Sequence, residues 1–252
     1  MPETRATIIG SPISPYVRKV LVACELKGVP YELDPIVAFF GGDEFSEISP
    51  VRRVPVYIDD QISISDSTVI CEYLEERFPK PRLLPSGPAR RARARWIEEF
   101  ADTRLADVFI WRVFYEAVIN PFIWQRPREK DKIAHAVKED VPTIVNYLEK
   151  QAPAAGFLFD ELSTADIAVA ACFTNLRWAR VELDPTRWPK TSGWVERTNA
   201  TPVLAKLNGY GEKLMRTPPD QHRSALAELG VRLTASTFGT NAMPRRGPMT
   251  IG

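Results

Sequence analysis

The stretch PKPRLLPSGP carries Pro79, Pro81, Pro85 and Pro88 within ten residues. A proline lacks the backbone N–H and its ring clashes with the preceding turn, so no helix crosses such a stretch. It reads as an interdomain linker, and it separates two regions of different periodicity. Short β-like runs alternate with helical patterns before it. The pattern after it is helical to about Met215, and no internal repeat is present.

Before the linker, ATIIG reads as a strand. SPYVRKVLVACELKG follows with Val17, Val20, Leu21 and Cys24 on one helix face, Gly28 as its stop and Pro30 just beyond. YELDPI, VPVYID and ISIS are three further strand candidates, the last two joined by the short DDQ turn. DSTVICEYLEERF closes the set as a helix with Val69, Ile70, Tyr73 and Leu74 expected on its inner face. The order is strand, helix, strand, loop, strand, strand, helix.

After the linker, RRARARWIEEFADTRLADVFIWRVFYEAV predicts one long helix. EKDKIAHAVKEDVPTIVNYLEKQ predicts a second that bends near Pro142, and TADIAVAACFTNLRWARV a third, with shorter helices around Trp194 and Leu204. From Arg216 onward, TPPDQHRSALAELG adds a turn or two of helix, and TASTFGTNAMPRRGPMTIG reads as a flexible tail. The expected domains are 1–80, 89–215 and a flexible extension, 216–252.

At 252 residues with 44% hydrophobic and 26% charged, the chain can bury ordinary cores in two domains without staples. A net charge of +1 gives no overall field toward nucleic acid or an anionic membrane. The basic run Arg90 to Arg95 is balanced by Glu98, Glu99 and Asp102 and reads as a solvated or subunit-facing helix surface. Cys24, Cys71 and Cys172 have no C-x-x-C spacing and read as reduced buried thiols. His135 and His222 alone cannot assemble a multi-histidine site, so no metal is expected. With no apolar run long enough to span a bilayer and no signal-peptide core in MPETRATIIG, the expectation is a soluble, cytoplasmic protein.

Four short motifs are candidates for chemistry. Val54-Pro55 opens a strand after a loop; a plain trans-proline strand start is one reading, and a cis bond that leaves the neighbouring backbone free to pair with an extended peptide is the other. Asp66 and Ser67 stand at a helix start, where N-capping by Ser65 or Asp66 competes with recognition of an amino-acid head group. Ser11 lies between the first strand and first helix, where capping of that helix by Ser11 or Ser14 competes with donation to a bound thiolate. Ser163 and Asp166 have capping-box spacing and read as structural.

In this order and at these separations the motifs resemble those of the cytosolic glutathione transferases, over about Ala6 to Met215. The resemblance is to the serine-type members, bacterial theta/zeta/tau-like. It implies an α/β thioredoxin-like N-terminal domain plus an all-α C-terminal helical bundle domain, and glutathione as co-substrate. It assigns Ser11 as the hydroxyl that activates the glutathione thiol, with Ser14 as a second candidate one turn onward. Arg53 would reach the glycyl end, Val54 beside cis-Pro55 would pair with the cysteinyl unit, and Asp66 and Ser67 would hold the γ-glutamyl group. The loop from Val37 to Ser49 lacks the lysine or histidine that many classes use for the glycyl carboxylate, which leaves that duty to Arg53.

That loop contains FFGGDEF, whose last five letters spell a diguanylate cyclase signature. Too little βα structure precedes Gly41 for that enzyme, so the match is coincidental and the loop is expected as the rim near the glycyl end. Trp111, Phe114 and Tyr115 are either core or, in the transferase frame, the lining of an apolar electrophile pocket. The resemblance implies a homodimeric detoxification enzyme acting on a small-molecule electrophile. The rival is a noncatalytic transferase-like module that binds a partner.

Overall fold

The structure, a computed structural model, describes residues 5–240 and 242–247. The chain divides into two compact units, Met1–Pro81 with Pro202–Gly252, and Arg82–Thr201.

The first unit opens with β1 (Ala6–Ile9), α1 (Pro15–Lys27), β2 (Tyr31–Asp34), α2 (Asp43–Ile48), β3 (Val56–Ile58), β4 (Ser63–Ser65) and α3 (Ser67–Arg77). The strands lie in the order β2-β1-β3-β4, with β1 and β2 parallel and the other two pairings antiparallel. A parallel pair needs a crossover, which α1 supplies. Ser14 caps α1, Pro15 occupies its first turn, and Gly28 closes it at φ 65°. Its face of Val17, Val20, Leu21 and Cys24 is fully buried, as are Ile8 and Ile9 of β1. All three cysteines are buried free thiols.

Lys27, at the end of α1, is buried and donates to Glu75 Oε2 at 2.7 Å and to the carbonyls of Phe78 and Pro81 at 2.6 and 2.8 Å. This pair turns α3 so that Ile70, Cys71, Leu74 and Glu75 point inward. Val69, expected on the inner face, is therefore 52% exposed.

In the second unit, Pro88–Phe100, Ala101–Ile119 and Asn120–Ile123 follow without a break as one long helix, α4, with a π-type bond from Asn120 N–H to the Tyr115 carbonyl. Lys130–His135, Ala136–Asp140 and Val141–Gln151 form α5 in the same way, with Pro142 in the first turn of its last segment. α6 (Thr164–Trp178) is the buried helix around which the unit is built, and α7 (Pro189–Asn199) packs beside it. Its N-terminus is the expected capping box: Ser163 N–H and Oγ donate to Asp166 Oδ2 at 2.9 and 2.5 Å. Asp166 Oδ1 also accepts from Trp194 Nε1 at 2.7 Å and Leu158 N–H at 2.9 Å, so one buried carboxylate ties α6 to α7 and to the preceding loop.

The chain then returns to the first unit. α8 (Pro202–Met215) docks through Lys206 on Glu25, at 2.8 Å, and is followed by α9 (His222–Glu228). The residues after Met215 correct the expectation of a flexible extension. Leu33 N–H donates to Arg232 O at 2.9 Å, Thr234 N–H donates to Leu33 O at 3.2 Å, and Phe238 packs on the cluster of Ile9, Ile36, Phe45 and Val56. The physical reason is the free edge of β2, which offers unpaired backbone groups that the returning chain takes up. Residues 248–252, included in the expected tail, lie outside the described residues. No helix among the described residues is long and apolar enough to cross a membrane.

Candidate active site

The register of the sheet gathers the candidate residues of the first unit. Ile9 pairs with Asp34 on one side and with Val56 on the other, and Val56 pairs with Ser65. Asp34, Ile9, Val56 and Ser65 thus form one row across the sheet. The residues just beyond that row are Gly10 and Ser11, Val54-Pro55, and Asp66 and Ser67. Three separate motifs therefore meet at one end of the sheet because their strands end in register.

Gly10 makes this meeting possible. It adopts φ 141°, and a Cβ there would lie 2.6 Å from Val17 Cγ2 and 2.8 Å from Val54 Cβ. Only glycine lets β1 turn into α1 while touching the proline loop. The Ser11 side chain that follows is 3% exposed, and its Oγ accepts from Ile13 N–H at 3.3 Å. Ser14 is half-buried at the head of α1, and its Oγ accepts from Val17 N–H at 3.4 Å. Arg18 is buried one turn later and clamps the intervening loop by donating to Pro12 O at 2.7 Å and Ile13 O at 3.0 Å.

The Val54-Pro55 bond is cis. The backbone N–H and C=O of Val54 have no hydrogen-bond partner among the described residues. Unlike Val54, the residue before it is held at both ends: Ser49 Oγ accepts from Arg53 N–H at 3.0 Å and donates to Arg53 O at 2.9 Å. The Arg53 side chain is exposed.

Asp66 caps α3 from a left-handed conformation, φ 91°, with Oδ1 accepting from Thr68 and Val69 N–H at 2.9 and 3.1 Å. That backbone strain in a non-glycine residue places a carboxylate and a helix N-terminus at the same spot. Ser67 behind it is buried, and Lys19 Nζ reaches from α1 to Thr68 Oγ1 at 3.0 Å. Lys19 so fixes the heads of α1 and α3 to each other.

In the second unit Phe114 and Tyr115 are buried and Trp111 is half-buried, its ring 5.7 Å from that of Tyr115. A separate cleft of about 250 Å³ within that unit is lined by Arg82, Leu84, Arg90, Phe159 and Asp160 among others. Its volume falls below the range of about 300–1,000 Å³ usual for small-molecule sites. No group of three or more His, Cys, Asp or Glu residues able to hold a metal ion occurs among the described residues.

Sequence reasoning missed Gly10, Arg18, Lys19 and Ser49 as parts of the site. A visible signal existed for two of them, since Arg18 and Lys19 interrupt an otherwise apolar helix. Gly10 and Ser49 carry no signal until the register is known.

The family description "Glutathione S-transferase, N-terminal domain" matches residues 8–82, and its C-terminal counterpart matches residues 114–208. A maleylacetoacetate isomerase from Rattus norvegicus is 33% identical over 175 residues, which cover 66% of this chain and 76% of the relative. A glutathione S-transferase from Rhodospirillum rubrum superposes with a TM-score of 0.73 at 25% identity, covering 80% of this chain and 91% of the other. A Methylobacterium radiotolerans glutathione S-transferase, solved in complex with glutathione sulfonate, gives 0.65 at 26% identity, covering 80% and 93%.

Proposed function

Because the chain belongs to the glutathione S-transferase family, we propose that it binds glutathione along Val54, Asp66 and Ser67 and activates its thiol with a serine hydroxyl at the head of α1. The observation that carries this reading is the row Ile9, Val56, Ser65, which aligns the three motifs at one end of the sheet. Val54's unpaired backbone suits the cysteinyl unit of an extended peptide. The Asp66 carboxylate suits an ammonium, and the Ser67 end of α3 suits the adjoining carboxylate.

Of the two hydroxyls, Ser14 is the better placed. Ser11 is sealed at 3% exposure, whereas Ser14 is half-buried and accepts a backbone N–H, which leaves its own proton to donate. A thiolate at this point also faces the positive end of α1. Such surroundings lower a thiol pKa from about 8.5 toward neutrality, which raises the thiolate fraction at pH 7 by about tenfold or more.

The chemistry follows from the thiolate. Its sulfur forms a bond to an electrophilic carbon, and either a leaving group departs or the addition reverses. The first outcome is conjugation. The second is net isomerisation with glutathione returned, the use favoured by the likeness to maleylacetoacetate isomerase. The protein works as a homodimer in the cytoplasm.

Retention on immobilised glutathione, followed by turnover of an aryl halide and of conjugated unsaturated acids with glutathione present, tests this reading. Turnover abolished by Ser14→Ala and spared by Ser11→Ala is expected. Neither binding nor turnover would restore the noncatalytic alternative.

A further inference from the structure

The segment from Val37 to Ser49, expected as a loop but folded into α2 over Asp43–Ile48, contains Asp43, Glu44 and Glu47 and no basic residue. An anionic ligand terminus placed beside it meets three carboxylates. The returning C-terminal segment changes that balance. It is anchored at Asp34, whose buried carboxylate accepts from Arg223 Nη1 at 3.0 Å, Thr237 Oγ1 at 2.8 Å and Phe238 N–H at 2.7 Å.

From that anchor the segment runs along the acidic loop as a strap. Gly42 N–H donates to Phe238 O, Thr240 N–H to Phe40 O, and Arg245 N–H to Phe39 O, each at 2.8 Å. The Arg245 guanidinium then donates to Asp43 Oδ1 at 2.8 Å and Gly41 O at 3.2 Å. Arg52 donates to the same carbonyl at 2.7 Å. At the end of the strap, a Cβ on Gly247 would lie 2.5 Å from Val51 O and 3.2 Å from Arg52 Cβ, so the two chains touch there. Arg52 and Arg245, distant in sequence, thereby meet on the Gly41 carbonyl, with Arg53 and Arg246 as their chain neighbours. Burial first, and then the nearby Arg245 charge, lower the Arg52 pKa.

We propose that this strap is part of the glutathione site, and that Arg245 and Arg246 join Arg52 and Arg53 as the cationic end that receives the glycyl carboxylate. The inference rests on the glutathione reading above. The strap supplies from the far end of the chain the positive charge that the loop lacks, and it neutralises Asp43, the acidic residue it touches. Charge-assisted pairing with a carboxylate is the interaction arginine makes best.

The test compares binding of glutathione with binding of its glycyl ethyl ester, which lacks the carboxylate charge, to the full-length protein. Wild type should prefer the free acid by about tenfold, and the double variant Arg245→Glu, Arg246→Glu should lose most of that preference while binding the ester as before. Asp43→Asn, which removes an anion and leaves the fold's apolar contacts intact, should strengthen the preference by about two- to threefold. An unchanged preference in the double variant, or equal weakening of both ligands, would overturn the inference while leaving the glutathione reading intact. Wild type that binds neither ligand would overturn that reading itself, and this inference with it.

Discussion

Ser49 Oγ grips both ends of Arg53, accepting from its N–H at 3.0 Å and donating to its carbonyl at 2.9 Å. One buried hydroxyl so fixes the chain immediately before the Val54 backbone proposed to pair with glutathione. Ser49→Ala removes both bonds, a loss of about 1–2 kcal/mol in the order of this loop. The KM for glutathione should rise about five- to tenfold with kcat nearly unchanged, since the loop contributes to binding in ground and transition state alike. Steady-state kinetics at varied glutathione decides the point, and an unchanged KM would remove Ser49 from the site.

Gly10 and Gly28 offer a controlled contrast. Both have positive φ, 141° and 65°, but a Cβ at Gly10 strikes Val17 and Val54, while at Gly28 it meets open space. Gly28→Ala should cost about 1–2 kcal/mol, the ordinary left-handed penalty. Gly10→Ala should cost about 2–4 kcal/mol through added strain and overpacking, and should impair glutathione binding as well. Denaturant unfolding of the two variants checks the ranking.

Asp166 serves four donors from Leu158, Ser163 and Trp194. Asp166→Ala leaves buried N–H groups without acceptors and should lower stability by about 3–5 kcal/mol, with a matching fall in Tm. Asp166→Asn, which keeps an acceptor oxygen, should fall between that variant and wild type.

These features mark what the sequence made legible. The strands and the two longer helices before the linker, and the capping box at Ser163, were readable because each depends on local chemistry, whereas the short helix α2 was read as loop. The strap was not. Leu233, Phe238 and Arg245 show no periodicity, and their partners Leu33, Asp34 and Asp43 lie some 200 residues earlier, so tertiary pairing alone orders them. The choice between Ser11 and Ser14 was illegible for the same reason, because burial is a property of the packed loop.

His222 makes α9 and the strap sensitive to acid. Burial lowers its pKa below 6.5, against the opposing pull of the Thr217 and Leu214 carbonyls and of Asp220. The unfolded chain therefore binds the proton more readily, and stability present above about pH 6.5 is lost as pH falls through the folded-state value. Asp43, held low by Arg245, contributes in the same direction only below its ordinary value of 3.8. Amide protection factors in residues 222–240, referred to the intrinsic exchange rate at each pH, should fall between about pH 7 and about pH 5, ahead of the second unit, and His222→Phe should flatten the response. Protection factors that do not change with pH would contradict this account.

The central claim is that a hydroxyl at the head of α1 holds glutathione as its thiolate, and the pKa of the bound thiol measures it directly. Ultraviolet difference titration of the glutathione complex should give a thiol pKa about 1.5–2 units below the free value in wild type and in Ser11→Ala, returning toward that of the free thiol in Ser14→Ala. An unshifted thiol in wild type, or a shift that survives Ser14→Ala and disappears in Ser11→Ala, would contradict it.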